Sequence, residues 1–261
     1  MKVWKNKALV LGLSGLFLVS CKEEKIDRQD DPQQEMVPVE VKKTVSGSSF
    51  VTSSKYHYDA AGNLYRADFF TDNTPQGYAL YFYYPTGKLK QRKVYNSSGQ
   101  FTEQDVYILN NADQHEKYLH SYVNASGTDT LHHYQKYEYT TDGKIARAID
   151  FSPKHQETGS GVYEFQAGNL VKLKLHDGEG NSTYTHEYTY DGRKSPFAST
   201  NLTIIALPGN VTGEVAKDLN QQVVLANSSQ ITYNPQGYPT KITRTDKNGI
   251  RKTETYSYRP K

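Results

Sequence analysis

The sequence predicts an all-β protein, an antiparallel meander of hairpin repeats of about 25 residues that curls into a sheet or barrel. Three observations predict this fold. Aromatic-rich segments recur along the chain, apolar and polar residues alternate within them, and turns rich in Asp, Asn and Gly separate them. Alternation with a period of two is typical of half-buried strands, and sequential hairpins without helical spacers form a meander.

The chain begins with a short basic stretch that is followed by an apolar run from Ala8 to Ser20. This order is typical of a secretory signal peptide. The run is shorter than the roughly 20 apolar residues that a membrane-spanning helix needs. We therefore predict a signal peptide over residues 1–20.

The only cysteine of the sequence stands directly after the apolar run, in Leu18-Val19-Ser20-Cys21. This segment resembles the lipobox of bacterial lipoproteins. The resemblance implies that lipoprotein signal peptidase recognises Leu18, Val19 and Ser20, and that Cys21 carries diacylglycerol and a further acyl chain such as palmitate. Two or more acyl chains give a stable membrane anchor. A cysteine that follows an ordinary signal peptide by chance is the alternative.

The next residues, Lys22, Glu23 and Glu24, resemble the surface-export signal of Bacteroidetes lipoproteins. The resemblance implies an outer-membrane protein that faces the cell exterior, with membrane lipid, the signal peptidase and the export machinery as partners. Residues 21–45 are polar and poor in large apolar side chains. Such composition is typical of a disordered tether, so we predict one β domain over residues 46–261.

Cleavage changes the composition of the mature chain. The sequence holds 31 Lys and Arg against 28 Asp and Glu, and three of the lysines precede Cys21, so 28 cations balance 28 anions. Without a basic excess, nucleic-acid binding is not expected. Lipidation of Cys21 leaves no free thiol for cysteine catalysis or a thiolate metal site. We expect no cofactor.

The repeat is clearest in the segment from Tyr56 to Leu64, in which Tyr-x-Tyr-Asp is followed by Gly-Asn-Leu. The last aromatic residue of the unit recurs about every 25 residues. The longer interval between the units that end at Tyr84 and Tyr139 implies a further unit near Tyr107–Asp113. Asp and Asn bond their own backbone in such turns, and Gly supplies the positive φ that short hairpin loops need. The related units close at Tyr84, Tyr139, Phe165, Tyr190, Tyr233 and Tyr258.

Alternation assigns faces to the strands. Tyr184, His186 and Tyr188 point one way, and Thr185 and Glu187 point the other. Residues 193–230 interrupt the pattern, and we predict a short insertion there that plugs or caps one end of the sheet, with a helical turn or two after residue 211. The faces opposite the tyrosines carry Lys, Glu and Thr rather than a lipid-facing apolar band, so we expect the sheet to lie beside a membrane.

Two families resemble these units. Residues 56–64 resemble the tyrosine-aspartate repeat of Rhs-type shell proteins. The run Tyr188-Thr189-Tyr190-Asp191, with the later segment 233–239, is similar to a family of Bacteroidetes surface lipoproteins that has a porin-like β fold and no assigned activity. The second resemblance covers residues from about 50 to the end and agrees with the anchor. It implies a fold but no chemistry.

Four histidines lie on two predicted strands around the turn at residues 124–127. The hairpin register places His120 opposite or next to His132, beside His133, with His115 further along. Adjacent imidazoles on one face can bind Zn or Cu. No third ligand is evident, so these residues are metal candidates only, and solvated strand histidines are the favoured alternative.

The remaining side chains leave three classes of function open. We rank first a non-catalytic binding or scaffolding module at the outer membrane, whose partner is an outer-membrane protein. A glycan-binding accessory protein of a polysaccharide uptake system is second, because tyrosine rows can stack sugars, although aromatic pairs also stabilise sheets. A glycan hydrolase is third: Glu164, Glu187 and Glu254 would have to converge in a barrel, and no catalytic motif is present.

Overall fold

A computed structural model describes residues 34–124, 127–200 and 209–261, which form sixteen antiparallel strands and no helix. The strands are β1 Met36–Val45, β2 Val51–Tyr58, β3 Leu64–Thr71, β4 Thr74–Tyr83, β5 Leu89–Asn96, β6 Phe101–Leu109, β7 His115–Val123, β8 Asp129–Tyr139, β9 Ile145–Phe151, β10 Glu157–Gln166, β11 Asn169–Asp177, β12 Ser182–Tyr190, β13 Val211–Asp218, β14 Val223–Tyr233, β15 Pro239–Asp246 and β16 Arg251–Pro260. The predicted all-β meander is confirmed.

The meander closes into a barrel. Each strand pairs with its sequence neighbour, and β1 also pairs with β16, from Met36 opposite Pro260 to Val45 opposite Lys252. Closure removes both sheet edges, so every strand has a partner on each side. A closed barrel of sixteen strands encloses an interior that the inward-facing side chains line. Across the described ranges, no helix is long and apolar enough to cross a membrane.

The hairpin turns have the predicted chemistry. The Asp59 side-chain oxygen Oδ1 accepts hydrogen bonds from the backbone N–H groups of Ala61 and Asn63, and Gly62 takes a φ of 82°. The unit expected near Tyr107–Asp113 is present as well. There the Asn110 side chain caps the turn and Asp113, at a φ of 57°, stands where other turns carry Gly.

The barrel has an inner and an outer face, which the register defines because cross-strand partners share a face. Outer-face side chains such as Glu164 and Lys174 are each 45% exposed and pair with one another. The other face carries most of the buried apolar residues and therefore lines the lumen. These inner residues are Val41, Leu64, Ala67, Ala79, Leu89, Ile145, Ala148, Leu170, Ala216, Ile242 and Tyr256.

Two predicted boundaries are wrong. The predicted tether includes residues 36–45, but these residues form β1, in which the side chains of Val37 and Val41 are 0% and 2% exposed. Residues 211–230 were assigned to the insertion, with helical turns after residue 211, but they form β13 and most of β14. Pairing on both sides supplies the backbone hydrogen bonds that overrode the weak local pattern.

The long connection therefore spans residues 191–210, between β12 and β13. Its described part packs against the inner face: Phe197 contacts the buried cluster of Val41, Ile242 and Tyr256. The Ser199 hydroxyl lies 2.8 Å from the hydroxyl of Tyr238 in the β14–β15 turn. The described part of the connection thus contacts the inner face and the β14–β15 turn, and the predicted plugging or capping of one end stays a prediction. The apolar run at 202–207 lies outside the described residues.

Candidate binding surface in the barrel lumen

Tyrosines ring the end of the barrel at which the even-numbered strands finish, which we call the tyrosine end. The hydroxyl of Tyr190, the last residue of β12, donates a 2.7 Å hydrogen bond to the carbonyl of Leu170 at the start of β11. The same bond, from the last tyrosine of an even strand to the first part of the strand before it, recurs around the barrel. It joins Tyr58 to Pro38, Tyr83 to Leu64, Tyr139 to His115 and Tyr258 to Pro239.

These phenols are held in the neutral form. Burial raises the pKa of Tyr190 to about 12, and the nearby Glu214 carboxylate adds to the shift. Burial likewise raises the pKa of Tyr81 and of Tyr188, each to about 12. A neutral phenol can donate to a carbonyl, whereas a phenolate cannot. The tyrosines that repeat along the sequence therefore link neighbouring strands of the barrel wall by hydrogen bonds.

A buried carboxylate organises the inner wall between β5 and β8. Asp105 is 4% exposed, and its oxygens lie 2.8 Å from Arg92 Nε and 2.7 Å from His120 Nδ1. The Tyr118 hydroxyl donates to the same carboxylate at 2.8 Å. Burial, followed by this hydrogen bond and the negative charge, raises the pKa of Tyr118. Asp105 is thus fully engaged and unavailable as a free base.

The predicted proximity of His120 to His132 is confirmed, although the exact cross-strand partner is the neighbouring residue. His120 pairs with His133, because a bulge in β8 makes His132 the additional residue. The three rings still cluster, with centroids 5.1 to 6.0 Å apart, and the Nδ1 atoms of His132 and His133 are 3.0 Å apart. His115 lies at the tyrosine end, where its Nε2 is 3.1 Å from the Leu89 carbonyl.

The described residues contain no group of three or more His, Cys, Asp or Glu side chains that is arranged to hold a metal ion. His120 is engaged by Asp105, which leaves two close nitrogen atoms, on His132 and His133. Burial and then the neighbouring imidazoles lower the pKa of His133. The expectation that the protein works without a metal or cofactor stays a prediction.

Two further polar clusters lie on the inner face. The Glu214 carboxylate lies 3.1 Å from His186 Nδ1 and accepts a 2.9 Å bond from the Asn227 amide. The Glu254 carboxylate accepts a 2.6 Å bond from Tyr256. It also pairs with Lys43 at 2.9 Å and Arg244 at 3.0 Å. In each cluster the carboxylate already has partners in the wall.

The three acids that were candidates for hydrolysis do not meet. Glu254 lies on the inner face, but Glu164 and Glu187 lie on the outer face, where they pair with lysines. The alternation in β12 predicted that Glu187 lies on the face opposite Tyr188, and the structure shows that this face is the outer one. Sequence analysis missed Asp105 and Arg92, although period two places Glu103, Asp105 and Tyr107 on one face of β6.

The opposite end of the barrel, where the odd-numbered strands finish, carries two partly exposed tyrosines. Tyr122 and Tyr184 both face the lumen near this end and are 45% and 46% exposed. Neither hydroxyl makes a hydrogen bond within the described part of the chain. The Tyr122 ring packs against the rings of His120 and His132, with centroids 4.5 and 5.1 Å away.

The predicted lipidation and export residues, Leu18 to Glu24 with Cys21 among them, lie outside the described residues. Their roles stay predictions.

Neither a protein-family profile nor a curated protein sequence matches this chain significantly. In structure, the chain is similar to a porin-like protein from Bacteroides uniformis ATCC 8492, with a TM-score of 0.58 and 10% sequence identity over 87% of this chain and 98% of that chain. A porin-like protein from Bacteroides vulgatus ATCC 8482 aligns with a TM-score of 0.44 and 11% identity over 87% of this chain and 100% of that one. The first similarity shows that the chain has the fold of that porin-like protein.

Proposed function

We propose that this protein is a non-catalytic binding or scaffolding module of the outer membrane in a Bacteroidetes-like bacterium. It is held there by lipid on Cys21 and faces the cell exterior. The lipobox and the export signal support the anchor. The fold shared with a porin-like protein from Bacteroides supports the setting. The proposal places the barrel beside the membrane, because its outer face carries charged pairs such as Lys174–Glu164 and Lys217–Glu187.

One observation carries the scaffolding role: the three carboxylates of the inner-wall clusters are bonded to the wall itself. Asp105, Glu214 and Glu254 each have two or more partners, and the recurring tyrosine hydroxyls bond to backbone carbonyls. Buried carboxylates that already have donors contribute to a rigid wall rather than to proton transfer. A rigid, edge-free barrel is suited to presenting a surface to a partner.

The anchor is tested with Cys21→Ser. We expect the wild-type protein to incorporate labelled palmitate and to fractionate with outer membranes. Protease added to intact cells should cleave it. The variant should lose the label and leave the membrane fraction. A wild-type chain that stays unlabelled and soluble would contradict the anchor, and a labelled chain resistant to external protease would contradict its exposure.

The scaffolding role is tested by native electrophoresis of gently solubilised outer membranes. We expect a complex that is larger than this chain and contains one defined outer-membrane protein, together with no turnover of polysaccharides by the purified protein. A chain that migrates alone and releases sugars would overturn the proposal.

Glycan binding is the second candidate, because Tyr122 and Tyr184 offer partly exposed rings inside the lumen. Aromatic faces stack against sugars, and their hydroxyl tips bond to them. A glycan array of the purified protein, followed by titration of Tyr122→Ala and Tyr184→Ala, tests it. Tyr65→Ala is the matched control, since Tyr65 is 47% exposed on the outer face. Equal binding by all three variants, or no binding, would exclude this site.

A further inference from the structure

A cavity of about 440 Å³ opens at the end of the barrel opposite the tyrosine end, between β14, β15 and β16. Its size lies in the range of sites that bind small organic ligands. It is independent of the histidine cluster and of Tyr122, which lie on β7 and β8. It is lined by Val224, Leu225, Ala226, Asn227, Arg244, Asp246, Lys247, Asn248, Ile250 and Lys252.

One side of the cavity is apolar. Val224 and Ile250 line it and are 38% and 43% exposed. Leu225, which pairs with the inner-face residue Ala216, adds to this wall. Apolar side chains that gather around a concave site favour a ligand with an apolar body, since the ligand removes their surface from water. The lining contains no aromatic ring, so it offers no stacking platform for a neutral sugar.

Positively charged side chains outnumber negatively charged ones in the lining of the cavity. The Asp246 carboxylate oxygen Oδ1 accepts hydrogen bonds of 2.9 Å from the backbone N–H groups of Asn248 and Ile250, so it is engaged by its own turn. The Arg244 guanidinium pairs with Glu254 at 3.0 Å. Lys247 and Lys252 have no ion pair or side-chain hydrogen bond among the described residues, which leaves two cations available.

From this combination we infer that the cavity binds a small amphipathic anion, a carboxylate carried on an apolar chain. The carboxylate lies between Lys247 and Lys252, where charge-assisted hydrogen bonds hold it, and the chain lies on Val224 and Ile250. The Asn248 amide offers a further donor to the head group. This inference goes beyond the proposed scaffolding role and does not depend on it.

Displacement of a fluorescent reporter tests the inference. The purified protein is titrated with anilinonaphthalene sulfonate, an anion with apolar rings, and the reporter is then displaced by dodecanoate. Dodecanol carries the same chain without the charge, and acetate carries the charge without the chain. We expect saturable binding of the reporter and displacement by dodecanoate alone. Equal displacement by dodecanol would show a purely apolar site and would overturn the inference, as would the absence of saturable binding.

Two variants locate the site. The double variant Lys247→Glu with Lys252→Glu should weaken dodecanoate binding by about tenfold or more, because it replaces both cations by anions. Lys241→Glu on the outer face of β15 is the matched control and should bind as the wild type does. Ile250→Ala keeps both lysines and removes part of the apolar wall. It should lower the affinity for dodecanoate by less than the double variant does. Unchanged affinity in the double variant, with circular dichroism showing an intact barrel, would refute the assignment.

Discussion

The Phe197 ring meets the Tyr56 ring edge-on, with centroids 5.5 Å apart and an angle of 77° between the planes. Phe197 belongs to the connection after β12, and Tyr56 lies on β2, six strands further around the closed barrel. The contact therefore ties the long connection to the seam at which the first and last strands join. The seam pairing and the β12–β13 pairing, which this connection itself joins, are the two that no short hairpin enforces.

Phe197→Ala is expected to lower the free energy of unfolding by about 2 kcal/mol, because the partly buried ring leaves a gap against Val41 and Tyr256. Urea unfolding, followed by circular dichroism, measures the change. Phe50→Ala is the control. Phe50 is 63% exposed, so this substitution should hardly change the free energy of unfolding. Equal effects of the two substitutions would mean that the connection does not stabilise the seam.

Tyr190→Phe should lower the free energy of unfolding by about 1 kcal/mol, because the substitution leaves the Leu170 carbonyl without its phenol donor. Tyr65→Phe removes a hydroxyl from an outer-face ring of similar size and should be neutral. Thermal melts of the two variants against the wild type measure the difference. A neutral Tyr190→Phe would show that the recurring tyrosine bonds are not structural ties.

Alkali should unfold the barrel cooperatively between pH 10 and 12. The pKa of Tyr81 is raised by burial from 10.0 to about 12, as is that of Tyr188. A group whose pKa is raised on folding contributes stability that is present below its unfolded pKa and lost as the pH rises through its folded value. Unfolding monitored together with tyrosinate absorbance tests this. Tyrosines that ionise near pH 10 while the fold persists would contradict the burial of these phenols.

Stability should also fall as the pH drops below about 6.5, because burial lowers the pKa of His133 and that of His115. The unfolded chain then binds more protons than the folded one, so acid favours unfolding. Urea titrations across this range measure the slope, which His133→Gln should reduce. His176→Gln on the outer face is the control. A slope that is unchanged in His133→Gln would assign the acid sensitivity to other groups.

The sequence predicted the local geometry of this protein well. Asp59 and Gly62 specify their turn by side-chain hydrogen bonding and positive φ, which are properties of a few neighbouring residues. Alternation likewise placed Tyr188 and Glu187 on opposite faces of β12. The repeat located the turn at Asn110–Asp113 although it lacks glycine. Each of these features depends on interactions within one hairpin.

Register and site composition were predicted less well. A single bulge in β8 pairs His120 with His133 instead of His132. One extra residue shifts the register of every later pair, and the alternation of residue types does not reveal where that extra residue lies. The Asp105 cluster was not predicted, since Arg92, Asp105 and His120 come from three strands. Their association depends on which strands are neighbours and on which face turns inwards.

The sequence by itself determined that the chain forms sequential hairpins, where most of them turn and which side chains share a strand face. The tertiary structure alone decided that β1 pairs with β16, that the tyrosine face lines the lumen and that Glu164 and Glu187 are separated from Glu254. The physical reason is the range of the interactions. A period of two and a turn are set by adjacent residues, whereas closure joins segments more than 200 residues apart, and their contacts exist only once every strand between them has paired.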